Sequence, residues 1–121
     1  MNYMLLVYHE ENSLNQIAEK SVEGCDGLAE RLMESGHYVS GGILQPTRCA
    51  TSVRMRQGRQ LVTDGPFAET REQLAGYLVV EAANLDEALA IAIQHPVAKY
   101  GIIEVRPVRE IPVWPQKPTY G

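Results

Sequence analysis

Tyr3 to Tyr8 is an apolar run of six with aromatic and branched side chains, the pattern of a buried strand. Ser13 with Gln16 then makes a capping box, so a helix can start there. Beyond it, Leu14, Ile17, Ala18, Val22, Cys25, Leu28, Ala29, Leu32 and Met33 form one stripe at helical period. Gly24 and Gly27 weaken this helix by roughly 1 kcal/mol each relative to alanine, so a bend near them is expected, and Gly36 is placed to stop it. Tyr38–Leu44 reads as a second strand interrupted at Gly41-Gly42, where a bulge or close backbone approach is expected. Thr51–Met55 and Gln60–Thr63 are the arms of a hairpin around Gln57-Gly58. Gly76–Glu81 is a further apolar strand. Asn84 with Glu87 caps a helix whose inner face is read as Leu85, Ala88, Leu89 and Ala92, ended by Pro96 near His95. Ile102–Val108 is the last strand, and Ile111–Gly121, with Pro112, Pro115 and Pro118, is an irregular tail.

The order is β-α-β, an inserted hairpin, then β-α-β. It predicts an α+β fold of the ferredoxin-like, split βαβ kind, a single domain over residues 1–121 with its core in 1–108 and a proline-rich tail in 109–121. Such a sheet carries helices on one face only. Yet both alternating sets are apolar, Leu5 and Val7 against Met4 and Leu6, and Val79 against Leu78 and Val80. With no spare element to cover the second face, the expectation is a second copy, sheet against sheet, in a two-fold homodimer.

Composition narrows the class without naming the chemistry. The 121 residues are 45% hydrophobic and 21% charged, which argues against disorder. A net charge of −4 disfavours general nucleic-acid binding. The start lacks a basic secretory signal, and no apolar run approaches a membrane span. Two cysteines make neither a disulfide framework nor a zinc pattern, so a reduced, cytoplasmic setting is the expectation.

The most distinctive stretch is Asp64-Gly65-Pro66-Phe67-Ala68-Glu69-Thr70, with Glu72 and Gly76 behind it. Asp64 can accept backbone N–H groups just ahead, and Thr70 with Gln73 can cap a single helical turn. The segment is either a rigid loop or the rim of a pocket furnished with Asp64, Glu69 and Glu72. On the last strand, period two sets Glu104 and Arg106 opposite Ile103 and Val105, as a structural ion pair or a charged pair that faces a ligand. His95 in the last turn of the second helix suits an imidazolium on the helix dipole, or an acid/base group if a carboxylate faces it. His9 and His37 lie near strand ends with no evident partner. The hairpin places Arg54, Arg56 and Arg59 on one face and Val53, Met55 and Val62 on the other, a solvated edge or an anion-holding patch. No histidine ligand spacing, phosphate-cradling loop or nucleophile elbow is present, so neither a metal nor a cofactor is expected. Cys25, on the apolar stripe, reads as a packed thiol.

Met1-Asn2-Tyr3-Met4-Leu5-Leu6, Asp64 to Glu72 and Glu104-Val105-Arg106-Pro107-Val108 together resemble the DGPF family of YCII-related proteins. The resemblance implies a dimeric, ferredoxin-like α+β barrel. YCII-type relatives carry a histidine on the first helix and an Asp-Pro after the second, an acid/base pair in a cleft; Cys25-Asp26 and His95-Pro96 stand there in this chain. DGPF proteins also resemble accessory products found with extracytoplasmic-function sigma factors, which implies a regulatory or interaction module as the alternative to an acid/base enzyme. The expectation is a homodimer that binds a small polar ligand in a cleft near its interface, lined by Asp64, Glu69, His95, Glu104 and Arg106, with no nucleic-acid or membrane partner.

Overall fold

A computed structural model describes residues 1–11 and 27–111 of the chain. Among the described residues six strands and two α-helices follow one another: β1 (Asn2–His9), α1 (helical over residues 27–35), β2 (Tyr38–Ile43), the hairpin β3 (Thr51–Arg56) and β4 (Arg59–Asp64), β5 (Gln73–Glu81), α2 (Leu85–Ala92) and β6 (Ile102–Pro107). The main sheet has the order β2-β5-β1-β6, antiparallel throughout, and the hairpin forms its own two-stranded ribbon. This is the α+β, ferredoxin-like arrangement with an inserted hairpin. The expected helix start at Ser13, Cys25 on its stripe, Asp26 beside it and most of the proline-rich tail lie outside the described residues.

Local chemistry explains the ends of the elements. Helix α1 closes in a Schellman motif, in which the His37 N–H donates to Leu32 O at 2.9 Å and the Gly36 N–H to Met33 O at 3.2 Å. Gly36 takes φ 81°, which glycine adopts at little cost. The hairpin turns on Gln57 and Gly58, both at positive φ, as a two-residue type I′ loop requires. Asn84 caps α2, its side chain accepting from Glu87 N at 3.0 Å. The Glu87 carboxylate then accepts from Ala83 N and meets His37 Nε2 at 3.0 Å, while Ser35 Oγ lies 2.7 Å from His37 Nδ1. His37 thus joins the end of α1 to the start of α2, a partner that its place in the sequence did not disclose.

Both helices cover one face of the sheet. Tyr3, Leu5 and Val7 on β1, Leu78 and Val80 on β5, Leu28 and Leu32 on α1, and Ala88, Ile91 and Ala92 on α2 are buried, with Ile103 and Val105 of β6 packed against them. Two expectations need correction. The inner face of α2 is Ala88, Ile91 and Ala92, whereas Leu85 and Leu89 are exposed. Apolar residues occur nearly all round this short helix, so contact with the sheet decides its rotation. Nor does a helical turn form at Thr70. Thr70 Oγ1 donates to Glu72 O and Gln73 Nε2 donates to Thr70 O, both at 2.6 Å, and Gln73 enters β5 opposite His9. Strand pairing has claimed the residue that would have completed the turn.

On the opposite face Met4, Leu6, Tyr8 and Val79 are only half-buried. Among the described residues no helix is long and apolar enough to cross a membrane.

Candidate functional site

The ladders are irregular at one place. Val7 pairs with Gly76, but Tyr8 pairs with Leu74, so Ala75 is an extra residue on β5. On the other side β2 slips between Tyr38 and Ser40, leaving Val39 extra. Bulges of this kind bend a strand and re-aim its side chains. The Ala75 carbonyl is not lost to the bulge, because it accepts from Leu44 N at 2.8 Å.

A cavity of about 300 Å³ opens here between the sheet and α1. Its floor is glycine. A Cβ on Gly76 would lie 2.9 Å from Gly42 O, one on Gly41 3.2 Å from Leu78 Cδ1, and one on Gly42 3.1 Å from Tyr77 Cε1. The close backbone approach expected at Gly41-Gly42 is therefore present. Leu28 of α1 and Val7 of β1 supply apolar wall.

Two histidines furnish the polar side. His95 is 5% exposed. It does not act as a cation on the end of α2. It caps the 3-10 turn Pro96–Lys99, with Nδ1 accepting from Val97 N at 3.1 Å. Burial, and after it the proximity of the His9 imidazole, holds its pKa below the ordinary 6.5. The ring is thus neutral, and with Nδ1 acting as acceptor its proton sits on Nε2. His9 continues the inward set Tyr3, Leu5, Val7 by period two and also lines the cavity. Its Nδ1 is buried with no hydrogen-bond partner among the described residues, a costly state.

Of the five residues singled out from the sequence, the structure brings His95 alone to this cavity. Asp64 ends β4 and Glu69 lies in the following loop, both exposed. Glu104 and Arg106 are exposed on the sheet face away from the helices, beside Leu6 and Met4. There Tyr8 is raised above its ordinary pKa by burial, then by the Glu104 carboxylate. Among the described residues no cluster of histidine, cysteine or carboxylate groups could hold a metal ion. Sequence reading left His9 without a role, although its phase on β1 was the available signal, and gave no weight to the absence of a side chain at Gly76.

Residues 1–112 match the sequence profile of the YCII-related domain, and the chain belongs to that family. An uncharacterised protein of Rhizobium meliloti (strain 1021) is 33% identical over 114 residues, spanning 89% of this chain and 92% of the relative. Among solved structures, the 5-chloro-2-hydroxyhydroquinone dehydrochlorinase of Burkholderia phenoliruptrix AC1100, in complex with 2,5-dihydroxybenzoquinone, aligns with a TM-score of 0.56. That alignment covers 90% of this chain and 94% of the other at 15% identity, a likeness of fold.

Proposed function

We propose that the chain binds a small planar ring bearing hydroxyl or oxo groups in the glycine-floored cavity, and that His9 exchanges a proton with one of them. The observation that carries this reading is a cavity that sets two imidazoles, His9 and His95, among glycines and apolar side chains. The volume is at the lower end of the roughly 300–1,000 Å³ range of small-molecule sites, enough for one ring. Gly41, Gly42 and Gly76 border it without side chains and leave room for a ring, and two imidazoles suit its edge. His95, held neutral, keeps positive charge off that edge. A structural neighbour bound to a dihydroxybenzoquinone supports the choice of probe.

The test is calorimetric titration with 2,5-dihydroxybenzoquinone. Wild-type protein is expected to bind it. His9→Ala is expected to weaken binding about tenfold or more, the loss of one hydrogen bond at a desolvated site. Gly76→Val, whose side chain presses on Gly42 O and crowds the cavity, is expected to abolish it while circular dichroism shows the fold retained. Binding that survives both changes would place the ring elsewhere, and no binding by the wild type would remove the reading.

The half-buried apolar set Met4, Leu6 and Val79 supports a second copy covering the open sheet face, so that the cavity lies in a homodimer. Sedimentation at micromolar concentration checks this. The wild type is expected as a dimer and Leu6→Glu as a monomer; a monomeric wild type overturns it.

A further inference from the structure

Among the described residues the hairpin makes no ladder with the main sheet, and each of its strands has an outer edge. Its register sets Ser52, Arg54 and Arg56 across from Thr63, Leu61 and Arg59 on one face, with Arg56 directly opposite Arg59. Like charges directly opposed destabilise a two-stranded ribbon that is marginal on its own. No carboxylate among the described residues pairs with any of the three arginines. An anion from outside would remove this repulsion.

Beside the arginines, Ser52, Arg54, Leu61, Thr63, Pro66 and Phe67 border a concavity of about 470 Å³. Phe67 is 90% exposed. It is held there by backbone geometry, since the Gly65 N–H donates to Ala50 O and the Gly65 carbonyl accepts from Ser52 Oγ, both at 2.7 Å. Gly65 itself has φ 106°, a conformation that glycine tolerates best.

We propose that this face of the hairpin, with Phe67, docks an acidic polypeptide segment that carries an apolar side chain. Guanidinium forks pair with carboxylates in bidentate fashion, and Phe67, Leu61 and Pro66 give an apolar anchor its contact. Arginine and exposed aromatics are the residue types that dominate binding energy at protein interfaces. The unpaired strand edges offer main-chain hydrogen bonds that only another polypeptide can complete. A nucleic acid also presents anions, but the chain's net charge of −4 opposes so dense a polyanion. This surface shares no residue with the ring-binding cavity, so either reading can fail alone.

Fluorescence anisotropy of the full chain tests the proposal with three labelled probes of equal length: a peptide alternating aspartate and leucine, the same peptide with lysine for aspartate, and a single-stranded oligonucleotide. The acidic peptide is expected to bind, more weakly as salt rises, and the lysine peptide not to bind. The triple change R54S/R56S/R59S is expected to weaken binding about tenfold or more, R54K/R56K/R59K to recover part of it, and Phe67→Ser to weaken it about fivefold. All these positions are exposed, and circular dichroism verifies the fold of each variant. Binding by the triple serine variant equal to wild type, or preference for the oligonucleotide, overturns the proposal. So does a wild-type dimer that the serine variant splits with no peptide bound, which would assign the face to a second copy.

Discussion

Gly101 is the position where the fold leaves least room. A Cβ built there would lie 2.1 Å from Tyr8 O and 3.1 Å from His9 Cβ. Non-bonded carbon contacts settle near roughly 3.5 Å, so alanine at this site falls short by more than an ångström. The obstacle is backbone, and relief requires the start of β6 to move off the end of β1 at the Tyr8–Ile102 pair. Overpacking costs about 1–3 kcal/mol, and a main-chain obstacle puts Gly101→Ala at the upper end, about 3 kcal/mol. At roughly 4 °C per kcal/mol for a domain of this size, the melting temperature should fall by roughly 12 °C. Gly27→Ala is the counter-case. Its Cβ would meet Arg31 Nη1 at 3.6 Å, an ordinary contact with the movable end of a side chain. Helix propensity then favours alanine by about 0.8 kcal/mol, and Tm should rise by roughly 3 °C. Thermal and urea unfolding followed by circular dichroism reads both. If Gly101→Ala melts with the wild type, β1 and β6 do not approach as described, and the placement of His9 fails with them.

Three further outcomes follow from other residues. His95 has a depressed pKa, so as pH falls below about 6.5 the unfolded chain gains a proton that the folded chain refuses, and stability declines until the folded pKa is passed. Urea titrations between about pH 7.5 and 5 should show this decline in wild type and a flatter profile in His95→Asn, which can still cap the turn; equal slopes would refute the neutral assignment. Asn84→Ala removes the cap of α2 and should cost about 1 kcal/mol in the same assay, whereas no loss would mean that the cap bond carries no stability. Ile91→Ala should cost about 2–4 kcal/mol and Leu89→Ala less than about 1 kcal/mol, because only Ile91 is buried, and the reverse order would return α2 to the face read from sequence.

The fold was legible because three signals agreed: short apolar runs for the strands, capping residues at Asn84 and Gly36, and a positive-φ turn at Gln57-Gly58. The face of α2 was not legible. Leu85, Ala88, Leu89, Ile91, Ala92 and Ile93 wrap most of the helix with apolar side chains, and periodicity cannot choose among them. His95 misled for a related reason. Pro96 reads as the end of one helix, yet it also fits the first position of a new turn, and the structure uses it so. The residue before it then becomes an acceptor, which removes the positive charge expected of its ring.

The cavity was the least legible feature, because missing atoms create it. Candidate residues were chosen for the charge they carry, and Asp64, Glu69, Glu104 and Arg106 lie on surfaces where water meets most of that charge. The cavity beside His9 is bordered by the extra residue at Ala75 and by Gly76, where a Cβ would meet Gly42 O, and a third departure lies near it at Gly101, where a Cβ would meet Tyr8 O. Each interrupts packing that would stabilise the sheet, and together they surround the end of β1. Concentrated at one end of one strand, beside His9, these departures from regular packing are what supports the proposed ring-binding reading.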